Sequence, residues 1–157
     1  VSARWNGLVG ERWKLLARIE AGYSNADVNT VDLVVGGVPI SLSVTDLPNM
    51  YRFKAGGSTR VRGYGFEQLS NNNIGSNNIV TASFEVEYRI LDKWSLAAFC
   101  DVGNAFNEWS ELEVKKGVGV GVRWYTIAGA MRVDVAQALD EADKPWRIHF
   151  TIGASVL

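Results

Sequence analysis

One cysteine, Cys100, is all the thiol chemistry in this sequence. That excludes an internal disulfide and a cysteine-built metal site, and it leaves the redox compartment open. Histidine is as scarce: His149 is the single one, with no cysteine or acidic residue at ligand spacing, and a hydrogen bond on a polar face is its expected role. No run of 18 or more apolar residues occurs, so a transmembrane helix is excluded. A membrane barrel is not excluded, because it hides its apolar residues in every second position. Basic and acidic residues number 16 and 17, a net charge of −1, which removes the electrostatic case for nucleic acid. No catalytic triad or metal constellation assembles, so neither a catalytic residue, a metal nor a cofactor is expected. The chain begins at Val1 without a signal peptide, and it reads as a piece of something longer.

What the sequence has is alternation. Between Arg12 and Tyr23, Trp13, Leu15, Ala17, Ile19, Ala21 and Tyr23 take one phase, and Arg12, Lys14, Arg18, Glu20 and Gly22 take the other. Val80 to Ile90 repeats the pattern, with Thr81, Ser83, Glu85, Glu87 and Arg89 on the polar side. Trp94 to Gly103 sets Trp94, Leu96, Ala98, Cys100 and Val102 against Ser95, Phe99, Asp101 and Gly103. In Gly117 to Trp124, glycines alternate with valines. They hold strict period two and a strand follows them, so a phosphate-binding loop, which needs a helix N-terminus next, is rejected. Met131, Val133 and Val135 oppose Arg132, Asp134 and Gln137, with Ala136 read as out of phase. Trp146 to Val156 alternates against Arg147, His149, Thr151, Gly153 and Ser155. With a weaker strand over Ser2 to Leu8, about seven strands and no convincing helix result.

Connections alternate too. Short turns are expected near Val9-Gly10, Leu91-Asp92-Lys93 and Ile127-Ala128-Gly129, and long ones around 25–78, 105–115 and 138–145. The first long one holds a candidate hairpin, Val31–Val35 and Ile40–Val44 around Gly36-Gly37. Such alternation suits an up-and-down outer-membrane barrel whose short turns are periplasmic. Strands of about ten residues suit an oblique crossing, and Trp13, Tyr23, Tyr88, Trp94, Trp124, Tyr125 and Trp146 are candidates for interfacial girdles. A soluble β-sandwich binding module alternates in the same way and stays open as an alternative on pattern alone.

The segment Tyr51 to Tyr64 carries the most specific signal. With Phe53-Lys54-Ala55-Gly56-Gly57, Val61-Arg62-Gly63-Tyr64, Glu87-Tyr88, Phe99-Cys100-Asp101-Val102-Gly103 and Gly117 to Trp124 in that order, the chain resembles the C-terminal end of barrels of the BamA/TamA superfamily of outer-membrane insertases. The resemblance covers about two-thirds of the sequence and implies an all-β, antiparallel up-and-down transmembrane β-barrel. Residues 1–157 would be its C-terminal portion, about strands 10–16 of sixteen, without the periplasmic repeats and first strands. The loop at about 25–78 is then extracellular and folds inward.

The same resemblance implies the site. The loop arginine, here Arg62, pairs with inner-wall acids, here Glu87 and Asp101, and Glu85 is a second candidate on the same face. Both named acids lie on the polar phase of their strands. Val61, Gly63 and Tyr64 complete the tip, and Gly56, Gly57 and Gly63 permit tight or positive-φ backbone. On residue pattern alone, Arg62 is a solvated loop arginine and the acids are wetted wall carboxylates. The resemblance further implies a weak lateral seam at the last strand, Trp146–Leu157 with Phe150 and Gly153, where an incoming strand adds by β-augmentation. The terminal Ile-Gly-Ala-Ser-Val-Leu lacks an aromatic end, which favours the TamA branch. That branch implies a TamB-like inner-membrane-anchored partner, outer-membrane lipid, and unfolded outer-membrane proteins or autotransporters as clients. A BamA-type insertase and a two-partner-secretion pore are the alternatives.

Overall fold

Period-two alternation becomes one antiparallel sheet. The computed structural model describes residues 1–25, 28–35, 38–45, 48–70, 75–127 and 129–153. Strands β1 (Ser2–Val9) and β2 (Trp13–Tyr23) are followed by β3 (Val28–Val35) and β4 (Val38–Thr45), then β5 (Asn78–Leu91), β6 (Trp94–Phe106), β7 (Lys115–Thr126), β8 (Gly129–Ala138) and β9 (Trp146–Gly153). The seven-stranded sheet runs β1-β2-β5-β6-β7-β8-β9, so neighbours in space are neighbours in sequence once β3 and β4 are set aside. Those two pair with each other as a hairpin within the β2–β5 connection, with Val35 opposite Val38; the Gly36-Gly37 turn lies outside the described residues. No helix among the described residues is long and apolar enough to cross a membrane.

The sheet is open, with β1 and β9 at its edges. Its short turns lie at one end and its long connections at the other, the arrangement of an up-and-down barrel wall. Strands β5, β6 and β7 have 14, 13 and 12 residues, enough to cross a bilayer at a tilt.

Polarity is inverted relative to a soluble protein. Glu85, Glu87, Asp101, Arg123 and Asp134 are buried, whereas Ile19, Phe84, Leu96, Val120, Phe150 and Ile152 are exposed. Burying charge while exposing apolar side chains is unfavourable in water and reversed in lipid, so the apolar phase is the outer face. A β-sandwich needs a second sheet packed on its apolar face; among the described residues none covers this one, and its apolar side chains are exposed. Near the short-turn end the outer face carries Trp13 against Tyr88, ring centroids 4.7 Å apart, and Trp94 stacked on Trp124 at 5.5 Å. Cys100 is exposed on this face.

Two details of phase differ from the sequence reading. Ala136 is in phase, not out of it. The β8–β9 register pairs Ala136 with Arg147, and its small side chain is wholly buried on the inner face. Tyr125 does not join a girdle: odd positions of β7 point inward, and its phenol donates to Glu87.

The buried apolar cluster lies inside the curve of the sheet, under the long β2–β5 connection. Ala55, Val61, Tyr64 and Leu69 from that connection pack with Ile79, Ala105 and Ala138 from the wall, and Phe53 lies against them. The loop is therefore held by its own small core.

Candidate functional site

Register brings the inward side chains of distant strands into rows. Ser83 lies opposite Asp101 and Glu85 opposite Phe99, Asp101 opposite Gly117, and Gly121 opposite Asp134. The loop lays Arg62 across these rows. Its Nε and Nη2 grip Asp101 Oδ2 and Oδ1 at 2.7 and 3.0 Å, a bidentate fork. Its backbone N–H also donates to Asp101 Oδ2 at 3.0 Å. Nη1 donates to Glu85 Oε2 at 2.6 Å and to Asp134 Oδ2 at 3.3 Å. Ser83 Oγ orients the acid by donating to Asp101 Oδ1 at 2.6 Å, and the guanidinium carbon stands 3.3 Å from the Phe99 ring centroid.

A second arginine closes the arrangement. Arg123, wholly buried, donates to Glu85 Oε1 through Nε and Nη2 at 3.1 and 2.9 Å and to Asp134 Oδ1 through Nη1 at 2.6 Å. Arg62, Glu85, Arg123 and Asp134 thus form a ring of alternating charge, with Asp101 outside it on Arg62. Each carboxylate in the ring spends one oxygen on each arginine. Burial works against the Arg62 charge, but the hydrogen bond and pull of Asp101, with Glu85 and Asp134, hold its pKa above the ordinary arginine value. Arg62 stays cationic, so the seat is released only by moving the loop or neutralising the acids.

Arg62, Asp101 and Glu85 are brought together. Glu87, named ahead of Glu85, is not in contact with Arg62; its Oε1 is 3.8 Å from Arg123 Nε, and it accepts from Tyr125. Two residues of strand separate the two glutamates by about 7 Å, and the arginine tip stops at the level of Glu85. Val61 and Tyr64 are buried in the loop core. The Tyr64 O–H reaches the Lys116 carbonyl at 3.2 Å and Asp140 Oδ2 at 3.3 Å. Gly56, Gly57 and Gly63 have φ of 96, 91 and 97°. Trp146, Phe150 and Gly153 lie on β9, three strands from the β6 strand that carries Asp101; Leu157 lies outside the described residues.

Sequence reasoning missed Arg123, Asp134, Ser83 and Phe99 as site residues, although each stands on the inward phase of its strand. The two-residue turn between β7 and β8 was the usable signal, because it fixes Gly121 opposite Asp134. It also missed a second anchor. Arg60 binds Glu20 of β2 through two parallel contacts at 3.1 and 3.0 Å, and Arg18 donates to the Arg60 carbonyl at 3.1 Å.

The glycines of β7 make room for the loop. A Cβ on Gly117 would stand 1.8 Å from the Arg62 carbonyl oxygen, and one on Gly119 2.5 Å from the Phe99 ring. Strict period two therefore leaves a side-chain-free groove facing the loop. Two variants test the loop core beside it. Tyr64→Phe keeps the ring and loses the O–H, and is expected to cost about 1 kcal/mol. Tyr64→Ala leaves a cavity and is expected to cost about 3–5 kcal/mol. Thermal loss of the folded band on semi-native gels measures both; equal midpoints for the two variants would contradict the packing described.

A family model for the Omp85 superfamily domain matches residues 3–156.

Proposed function

Because this chain belongs to the Omp85 superfamily, the outer-membrane β-barrel proteins that insert or secrete other proteins, we propose that it supplies the last strands of a TamA-type translocation and assembly barrel. In that reading residues 1–157 are about strands 10–16 of sixteen. The loop seated by Arg62 braces the wall, and β9 is one side of a lateral seam. The observation that carries it is the ring of Arg62, Glu85, Arg123 and Asp134 with Asp101, which ties a long loop to four neighbouring strands of the wall. Ion pairs at an exposed surface contribute little. Buried ones resist the loss of a partner strongly, so this loop has two well-separated states, seated and released. The finer assignment to the TamA branch, with a TamB-like partner and autotransporter clients, rests on the sequence resemblance.

The seam reading supposes that an unpaired edge captures a client strand through backbone hydrogen bonds. A photo-crosslinker placed at Phe150 of β9, in the full-length protein reconstituted in vesicles, is expected to capture an unfolded outer-membrane client. The same probe at Val133, one strand inward and also exposed, is expected to capture lipid. Equal client capture at both positions, or none at Phe150, would remove the seam from β9.

A further inference from the structure

The residue after the clasp arginine makes a separate attachment, to the edge strand. Gly63 donates its backbone N–H to His149 Nε2 at 3.0 Å, and its carbonyl accepts from Arg147 Nη1 at 2.5 Å. Both side chains stand on the inward phase of β9. Gly63 is pressed so closely on β8 that a Cβ would lie 2.8 Å from the Gln137 carbonyl carbon. The loop tip therefore bridges the sheet from β6, where Asp101 holds Arg62, to β9. In the sheet itself β9 pairs with β8, so the tip is an additional fastening for the edge.

We propose that Arg147 and His149 are positioning residues that couple the seated loop to the edge strand β9, so that unseating the loop loosens the edge and peeling the edge loosens the loop. The proposal rests on the reading of β9 as the seam strand. Its thermodynamic content is reciprocity: whatever the loop contributes to holding β9, β9 contributes to holding the loop. The bistable element is the tip, which keeps or loses both backbone contacts of Gly63 together.

The chemistry of the contact supplies a signature. To accept from an N–H, the imidazole must be neutral with its proton on Nδ1; an imidazolium is a donor at both nitrogens and faces the Gly63 N–H unfavourably. The charged groups around it are Asp134, opposite it on β8, Arg147 on its own strand, Arg62 from the loop and Asp101 from β6. A glutamine at 149 places its Oε1 near the position of Nε2 and accepts at any pH.

Amide hydrogen exchange in the full-length protein in lipid nanodiscs, followed on segments 58–66 and 146–153 at about pH 8 and about pH 5, either side of the imidazole range, tests this. His149→Ala is expected to speed exchange in both segments about tenfold at pH 8, the weight of one lost hydrogen bond. The wild type should lose protection in both on acidification, while His149→Gln keeps it at both pH values. Asp101→Asn, which frees the loop at its other attachment, should speed exchange in β9 when His149 is present and add less in the His149→Ala background, where only the Arg147 contact is left to lose. Unchanged β9 exchange in Asp101→Asn, or failure of His149→Gln to preserve protection at low pH, would overturn the coupling. Exchange reports contacts and not client handling. Coupled exchange without client capture at Phe150 would overturn the seam reading alone, and capture without coupled exchange would overturn this inference alone.

Discussion

Reversing Arg62 to glutamate is expected to empty the seat and abolish most client insertion. The variant places four carboxylates, at 62, 85, 101 and 134, around Arg123 as the one remaining cation of the ring. Removing a single partner from a buried ion pair already costs about 3–5 kcal/mol. On that scale alone the ratio of seated to released loop falls at least about a hundredfold. Two measurements read it: protease cleavage of loop residues 58–66 in intact vesicles, and the rate of client insertion. Arg62→Glu with Asp101→Arg re-forms one fork at the same register, since Asp101 takes the bidentate contact. Partial recovery is expected, because Glu85 and Asp134 still face the new acid. Neutralising Glu85 with glutamine should reproduce much of the defect and neutralising Glu87 little of it. Full insertion activity in Arg62→Glu would remove the seat from the mechanism.

Gly117→Val is expected to have an effect of the same order while leaving every charge in place. The added Cβ collides with the Arg62 carbonyl oxygen at 1.8 Å, a backbone atom that no side-chain rotation moves. Overpacking costs typically about 1–3 kcal/mol where neighbours can shift. Here the neighbour is held by Asp101 through its own N–H, so the loop leaves instead of adjusting. The β7 backbone still pairs normally, since valine suits a strand. Loop cleavage should rise as in Arg62→Glu, and the semi-native gel mobility of the barrel should persist. A seated, protected loop in Gly117→Val would contradict the groove described for β7.

Most of the sheet could be read from the sequence, because strand phase repeats every two residues and needs no partner to be seen. The short turns could be read for the same reason. Ala136 was misplaced because a small residue carries no polarity signal in either phase; only pairing with Arg147 fixes it. Arg62 and Asp101 were named together and are bonded. The choice between Glu85 and Glu87 depends on how deep the loop descends, a tertiary distance that a face assignment does not contain. Asp134 and Arg123 were placed on polar phases without a role, since neither belongs to a recognisable string. His149 was given a hydrogen bond but no partner, because its partner is a backbone N–H some 86 positions away. The period of the β7 glycines was visible; its reason was not, since a missing side chain shows its purpose only when something fills the space.

The ring of alternating charge also sets an order of events. Its four corners come from positions 62, 85, 123 and 134, and the first of them waits for the last across 72 residues of chain. Until β8 has zipped onto β7, Asp134 is not on the wall, and Arg62 and Arg123 each lack one of their carboxylates. Contacts so distant in sequence form late, after nearer pairings have closed the intervening chain. The loop tip, although it precedes β5 to β9 in the chain, is a late-closing latch: its docking marks the moment when the wall beneath it has been built in register.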